Sequence, residues 1–240
     1  IRNEAANTRG TTLNNNFSTR INGSAIGSTT SANSGVIVQE PQVAISKVVT
    51  TAPVDAGDAV VYTITLTNTS GTNVESGYEW TFTDTLNTHL QFDSISDISL
   101  PGYATLDSSA TAGQNVSAVI SRIDPGDNVS FRINATVRDT APANFIVPNT
   151  GNVTTSSLPG ANGTTVNSTG SSTPGANGTS TGEENFTGNS SVNTTLGTPS
   201  IDKQSPVAGT EYSIGQTVTY PIVVTVPEGV VQNVVLTDAL

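Results

Sequence analysis

Apolar and polar residues alternate one for one along most of this chain. In GDAVVYTITLTN (57–68) and NVSFRINATVRD (128–139), every second residue is apolar and its neighbours are mostly Thr, Ser, Asn or Arg. Successive strand side chains point to opposite faces, so this period of two predicts half-buried β-strands. On that pattern strands are expected near 31–39, 42–50, 58–68, 77–85, 91–99, 115–123, 128–138, 143–155 and 184–196, with further ones near 201–205, 216–226 and 230–238. DAGD (55–58) and DPGD (124–127) carry the Asp, Pro and Gly of tight turns. Residues 156–182 hold LPGANGTT and then TPGANGTS, a small duplication rich in Gly, Ser, Thr and Asn that reads as a long surface loop. Many short strands and no helical period predict an all-β chain of immunoglobulin-like β-sandwich repeats.

The pattern also repeats at long range. VAISKVV, GDAVVYTITLTN and FTDTL recur as PSIDKQS, GQTVTYPIVVTV and LTDAL, which aligns Lys47 with Lys203, Gly57 with Gly215 and Asp84 with Asp238 at offsets of 156, 158 and 154. Offsets this close define a unit of roughly 155 residues. IRNEAAN at the start resembles VPNTGNV (147–153) and pairs Asn3 with Asn149. Likewise NNNFSTRINGSA (14–25) resembles EENFTGNSSVNT (183–194). The expected organisation is therefore the tail of one repeat over 1–40, one complete repeat over 41–198, and the beginning of another over 199–240.

Composition narrows the class. Charged residues make up 11% of the chain and the net charge is −11, so nothing is available to neutralise phosphates or an anionic membrane surface. No apolar run is long enough to span a bilayer, and the first residues carry no export-signal pattern. There is no Cys and one His, His89, in a polar turn where a solvated role is expected. Neither a catalytic triad nor a thiolate or histidine-rich metal site can be assembled from these, and the adjacent Glu183 and Glu184 point apart, so no enzyme is expected and no cofactor is required. Thirteen Asn-x-Ser/Thr sequons occur: Asn16, Asn22, Asn68, Asn115, Asn128, Asn134, Asn152, Asn162, Asn167, Asn177, Asn185, Asn189 and Asn193. They mark either glycan acceptors or simply polar loops in a Ser/Thr-rich chain.

Strand parity singles out three polar residues. Lys47 shares a face with Val43, Ile45 and Val49; Asp84 with Tyr78, Trp80, Phe82 and Leu86; Asn149 with Phe145, Val147, Gly151 and Val153. The aligned positions keep that phase, Lys203 with Ile201, Asp238 with Val234 and Leu236, and Asn3 with Ile1. Taken singly, Lys47 reads as a strand-start residue snorkelling to water, Asp84 as a turn residue and Asn149 as a bulge residue. Taken together they place an amine, a carboxyl and an amide in one apolar interior, where unpaired charge is costly. The chain has only two lysines, and both occupy the same repeat position. An intramolecular isopeptide bond accounts for all three residues. Burial would free the Lys47 amine and keep Asp84 protonated, and attack on the Asn149 amide would expel ammonia.

This pattern, an early Lys, GDxVxYTITLTN, TDTL and a late Asn-x-Gly, resembles the conserved-repeat domains of bacterial and archaeal surface proteins and the related isopeptide-forming fimbrial domains of the Cna-A kind. The resemblance covers about 42–155 and, as an incomplete copy, 200–240; the 156–182 loop is similar to LPGANG-type insertions of long members. It implies a sandwich used in extracellular stalks, adhesins, sheaths or fibres, with the Lys, Asp and Asn roles falling on Lys47, Asp84 and Asn149. Two other readings fit the residues. Asp55, Asp58, Asp124 and Asp127 sit in turns and suit calcium in an adhesive, glycan- or protein-binding module without a crosslink. Incomplete repeats at both ends suit self-association by strand addition between copies or neighbouring repeats.

Overall fold

In a computed structural model of the chain, residues 7–14, 19–25, 35–160, 185–206 and 210–238 are described. Four short strands come first: β1 (Thr12–Leu13), β2 (Arg20–Ile21), β3 (Ser24–Ala25) and β4 (Val36–Ile37). The long ones follow: β5 (Val43–Thr51), β6 (Ala59–Asn68), β7 (Gly77–Thr85) and β8 (Leu90–Ser99), then a short β9 (Leu106–Asp107), and β10 (Asn115–Ile123), β11 (Asn128–Val137), β12 (Ile146–Ser156) and β13 (Asn185–Thr195). A further pair, β14 (Ser200–Lys203) and β15 (Ile222–Thr225), completes the set. The described residues contain no helix, hence none long and apolar enough to cross a membrane.

The long strands form two antiparallel sheets, one ordered β5-β6-β11-β8 and the other β13-β12-β7-β10-β9. With β9 and β10 set aside, seven strands remain. Their first, second, fifth and fourth members make one sheet, and their third, sixth and seventh the other, which is the strand order of a constant-type immunoglobulin sandwich. β10, expected over 115–123, and the short β9, which the apolar pattern does not announce, extend the second sheet beside β7. The inner faces are built by alternation: Val60, Tyr62, Ile64 and Leu66 of β6 and Phe131 and Ile133 of β11 meet Trp80 and Phe82 of β7 and Ala118 and Ile120 of β10, all fully buried. Phe82 and Phe131 touch edge to face across the sheets with centroids 5.3 Å apart, a favoured aromatic geometry.

Several expectations are corrected. The strand expected over 31–39 is described only as β4, with 31–34 outside the described residues. The one expected over 216–226 shrinks to β15, and 230–238 forms no strand beyond a single bridge from Val230 to Pro142. The aligned apolar residues of this end keep their parity but not their burial: Ile201, Val234 and Leu236 are 50–59% exposed. Among the described residues the β14–β15 pair has no second sheet to cover it. His89 is half-buried rather than solvated, its ring edge-on to Phe145 at 4.8 Å. Asn68 cannot serve as a glycan acceptor in the folded chain, because it is fully buried and its amide donates to the carbonyls of Glu75 and Ile123. Asn3, Ile1, Glu183, Glu184 and most of the 156–182 loop lie outside the described residues.

Candidate functional site

Three elements meet at one point between the sheets. β5 is an edge strand of the four-stranded sheet, pairing with β6 along Lys47 opposite Ile64. β7 and β12 are central neighbours in the other sheet, with Gly151 directly opposite Asp84. Asn149 lies two residues before Gly151 and so on the same face. Lys47, Asp84 and Asn149 are 4%, 2% and 2% exposed, against a chain whose buried residues are otherwise mostly apolar. The Lys47 backbone N–H also donates to Ser190 Oγ of β13 at 3.1 Å, which ties the edge of one sheet to the edge of the other.

The Lys47 amine donates to Asp84 Oδ2, and both side chains are wholly inaccessible to water. Burial depresses the Lys47 pKa, with the nearby Asp84 charge opposing the shift. Burial likewise raises the Asp84 pKa, opposed by Lys47 and by the Asn149 amide. Desolvation dominates in both, so the pair is pushed toward its neutral form, free amine beside carboxylic acid. The Asn149 amide lies close enough to Asp84 and to the Tyr62 phenol to perturb both, yet neither of its polar atoms completes a well-aligned hydrogen bond. A buried amide without partners is uncommon and calls for an explanation.

Space for this arrangement depends on Gly151. A Cβ there would stand 2.6 Å from Phe82 Cε2 and 3.6 Å from Lys47 Cδ, so the lysine stem and the phenyl ring pass over a bare backbone. Tyr62, one of the alternating apolar positions of GDAVVYTITLTN, supplies the roof: Lys47 Nζ sits 4.8 Å from its ring centroid. Its sequence signal was its place five residues after Gly57, matched by Tyr220 after Gly215. The aligned residues at the other end make the same contacts in the open. Lys203 Nζ donates to Asp238 at 2.7 Å and lies 4.9 Å from the Tyr220 centroid, but Lys203 and Asp238 are 36% and 39% exposed.

The turn aspartates serve the fold. Asp58 accepts from the Val54 and Asp55 N–H groups, Asp55 from the Glu228 N–H, Asp124 from Ser76 Oγ and Asp127 from the Tyr103 hydroxyl. Among the described residues no three His, Cys, Asp or Glu side chains come together as a metal-binding group.

No protein-family model matches the chain, and no curated protein does. Solved structures with a similar fold include the full-length major pilin SpaD of Corynebacterium diphtheriae, at 16% identity and a TM-score of 0.44, covering 70% of this chain and 38% of that one. A 35 kDa C-terminal fragment of the major pilin GBS80 of Streptococcus agalactiae matches at 10% identity and a TM-score of 0.41, covering 71% of this chain and 61% of that one. AvmM, which catalyses macrocyclization in alchivemycin A biosynthesis, matches at 10% identity and a TM-score of 0.36, covering 76% of this chain and 96% of that one. The chain thus spans less than two-thirds of the length of either pilin. These are loose likenesses of fold, and the functional reading rests on the site.

Proposed function

We propose that the chain is a structural module of an extracellular surface fibre, built of tandem sandwich repeats and stapled by an amide between Lys47 and Asn149. The observation that carries this reading is the dry trio itself, an amine and a carboxyl pushed toward neutrality beside an amide with no hydrogen-bond partner. Lys47 Nζ attacks the Asn149 side-chain carbonyl carbon. A C–N bond forms to the lysine, the bond to the original amide nitrogen breaks, and ammonia leaves with one proton from the amine. Asp84, protonated, polarises the carbonyl and relays that proton, ending as it began. This is a single-turnover reaction in which the fold supplies proximity and substrate is never replaced.

The bond would tie an edge strand of one sheet to a central strand of the other and close a loop of about 100 residues. By analogy with disulfides such closure contributes about 4–5 kcal/mol, and it puts a covalent bond in the path of a pulling force. The domain plan of 1–40, 41–198 and 199–240 is part of the same proposal. Its support is the recurrence of left-handed backbone at aligned positions: Gly57 at φ 83° and Gly215 at φ 93°, Glu79 at φ 49° and Asn233 at φ 56°. The acidic, cysteine-free, Ser/Thr-rich composition fits a module displayed outside the cell and associating with its own repeats. Intact mass is the test. The folded chain is expected one ammonia lighter than its sequence, and Lys47→Ala restores the full mass; a folded wild-type chain at full mass removes the crosslink.

A further inference from the structure

Among the described residues, eight buried side-chain polar atoms lack a well-aligned partner, and five of them belong to four neighbours: Tyr62 Oη, Asp84 Oδ1, Asn149 Oδ1, Asn149 Nδ2 and Thr194 Oγ1. Tyr62 lies on β6 and is fully buried; Thr194 lies on β13, 6% exposed and directly opposite Val147. Asn149 and Thr194 both approach the phenol closely enough to lower its pKa, the effect of groups that donate to the phenol oxygen and leave its own proton uncommitted, although burial prevails and raises it overall. Isolated orphan atoms are costly, and native folds rarely gather them.

We propose that Tyr62 is the oxyanion donor of the crosslinking step, its uncommitted hydroxyl proton turning to the Asn149 carbonyl oxygen as charge develops there, with Thr194 beside the phenol oxygen to hold it in place. This rests on the isopeptide reading and divides its labour. As the Lys47 nitrogen bonds to the Asn149 carbon, negative charge collects on the carbonyl oxygen. Asp84 must at that stage pass its proton to the departing nitrogen and take one from the incoming amine, and between the two it is anionic and repels the charge building on that oxygen. A neutral donor is needed there. A phenol whose pKa is raised by burial stays protonated and meets the need in a water-free site, where such donors act most strongly. The phenol ring meanwhile packs over the Lys47 ammonium or amine at 4.8 Å, so one side chain positions the nucleophile and stabilises the oxygen. When the tetrahedral centre collapses the oxygen returns to a carbonyl, the C–N bond to the leaving nitrogen breaks, and Tyr62 keeps its proton throughout.

The experiment starts from chain held unfolded in urea, in which the sandwich and hence the site do not exist, and follows intact mass after dilution into buffer. Tyr62→Phe keeps the ring and removes only the hydroxyl. Its loss of ammonia is expected to slow by about 100-fold, the usual cost of losing one oxyanion donor, while Trp80 emission reports folding at the wild-type rate. Thr194→Val, close in shape, is expected to slow closure several-fold by freeing the phenol from its anchor, and it tests the idea should Tyr62→Phe misfold. Tyr62→Phe that folds and closes as fast as wild type, or Thr194→Val that closes unimpaired where Tyr62→Phe cannot fold, overturns this inference alone. A wild-type chain that folds and keeps its full mass overturns this inference and the crosslink together.

Discussion

At the scale of single residues, the Lys47–Asp84 pair decides the chemistry through its proton count. Free amine with carboxylic acid and ammonium with carboxylate hold the same number of protons, so their balance does not depend on pH; burial tilts it toward the neutral form. Closure is therefore expected to run at a flat rate between the two apparent pKa values of the pair, which belong to both groups jointly. The signs follow from the shifts. Lys47 is lowered, so below the lower value the amine acquires a proton and loses its nucleophilic lone pair. Asp84 is raised, so above the upper value the acid loses the proton it must relay. Closure after refolding, followed by mass in buffers from acid to alkaline, should fall at both ends. A rate that climbs steadily toward the ordinary lysine pKa would show an amine that is not perturbed and an acid that is not used.

At the scale of elements, what matters is how β12 lets three side chains share one space. Val147, Asn149, Gly151 and Val153 alternate inward, and the smallest stands where the Lys47 stem and the Phe82 ring cross. Gly151→Ala is expected to cost about 1–3 kcal/mol by overpacking and to displace Lys47 from the amide, so that both the melting temperature of refolded chain and the rate of ammonia loss fall. Normal closure in that variant would mean the strand yields more than its buried register suggests. This parity was readable before any coordinates: β5 to β8 and β10 to β13 lie within three residues of the spans that alternation predicts. Two-residue strands such as β1 or β9 have too few positions to express a period, so nothing in the pattern marks them. Tyr62 was hidden for the opposite reason. It sits in so regular an apolar run that nothing in the pattern distinguishes its hydroxyl from a core ring, and its recurrence as Tyr220 is what sets it apart. At 230–238 the alternation is present, but among the described residues no strand pairs with it and no sheet covers it, and pattern without a partner does not make a strand.

At the scale of the whole molecule, on the proposed division into repeats, a load would pass between units only if the joint holds, and the backbone around Glu228–Val230 is where 199–238 meets the sandwich. The Glu228 N–H donates to Asp55 at 3.0 Å, the Ala143 N–H to the Val230 carbonyl at 3.1 Å, and the Val230 N–H to the Ala141 carbonyl at 3.0 Å. The Gly197 N–H, just after β13, donates to the Val54 carbonyl at 2.6 Å. At the opposite end of the sandwich Glu40 makes a similar parallel bridge with Val74, beside Asn73 at φ 61°. The two contacts share a device, a left-handed residue that turns a loop so its next residue can pair with the neighbouring segment. At the first joint that residue is Gly229, at φ 107°, where a Cβ would stand 2.5 Å from the Ala141 carbonyl oxygen and 3.2 Å from Ala56 Cβ. Gly229→Val should therefore open this joint twice over, by backbone strain and by direct collision with the acceptor of the Val230 N–H. Because none of the proposed crosslinking groups is touched, closure should stay as in wild type. What should change is the coupling: the Ala143 amide and those of 200–238 are expected to lose hydrogen-exchange protection, the latter with faster backbone dynamics by NMR relaxation, while the amides within strands β5 to β12 do not. Unchanged protection across Ala141–Ala143 and Val230 in that variant would mean these hydrogen bonds do not hold the segments together, and a fibre of such modules would bend at every link however firmly each is stapled.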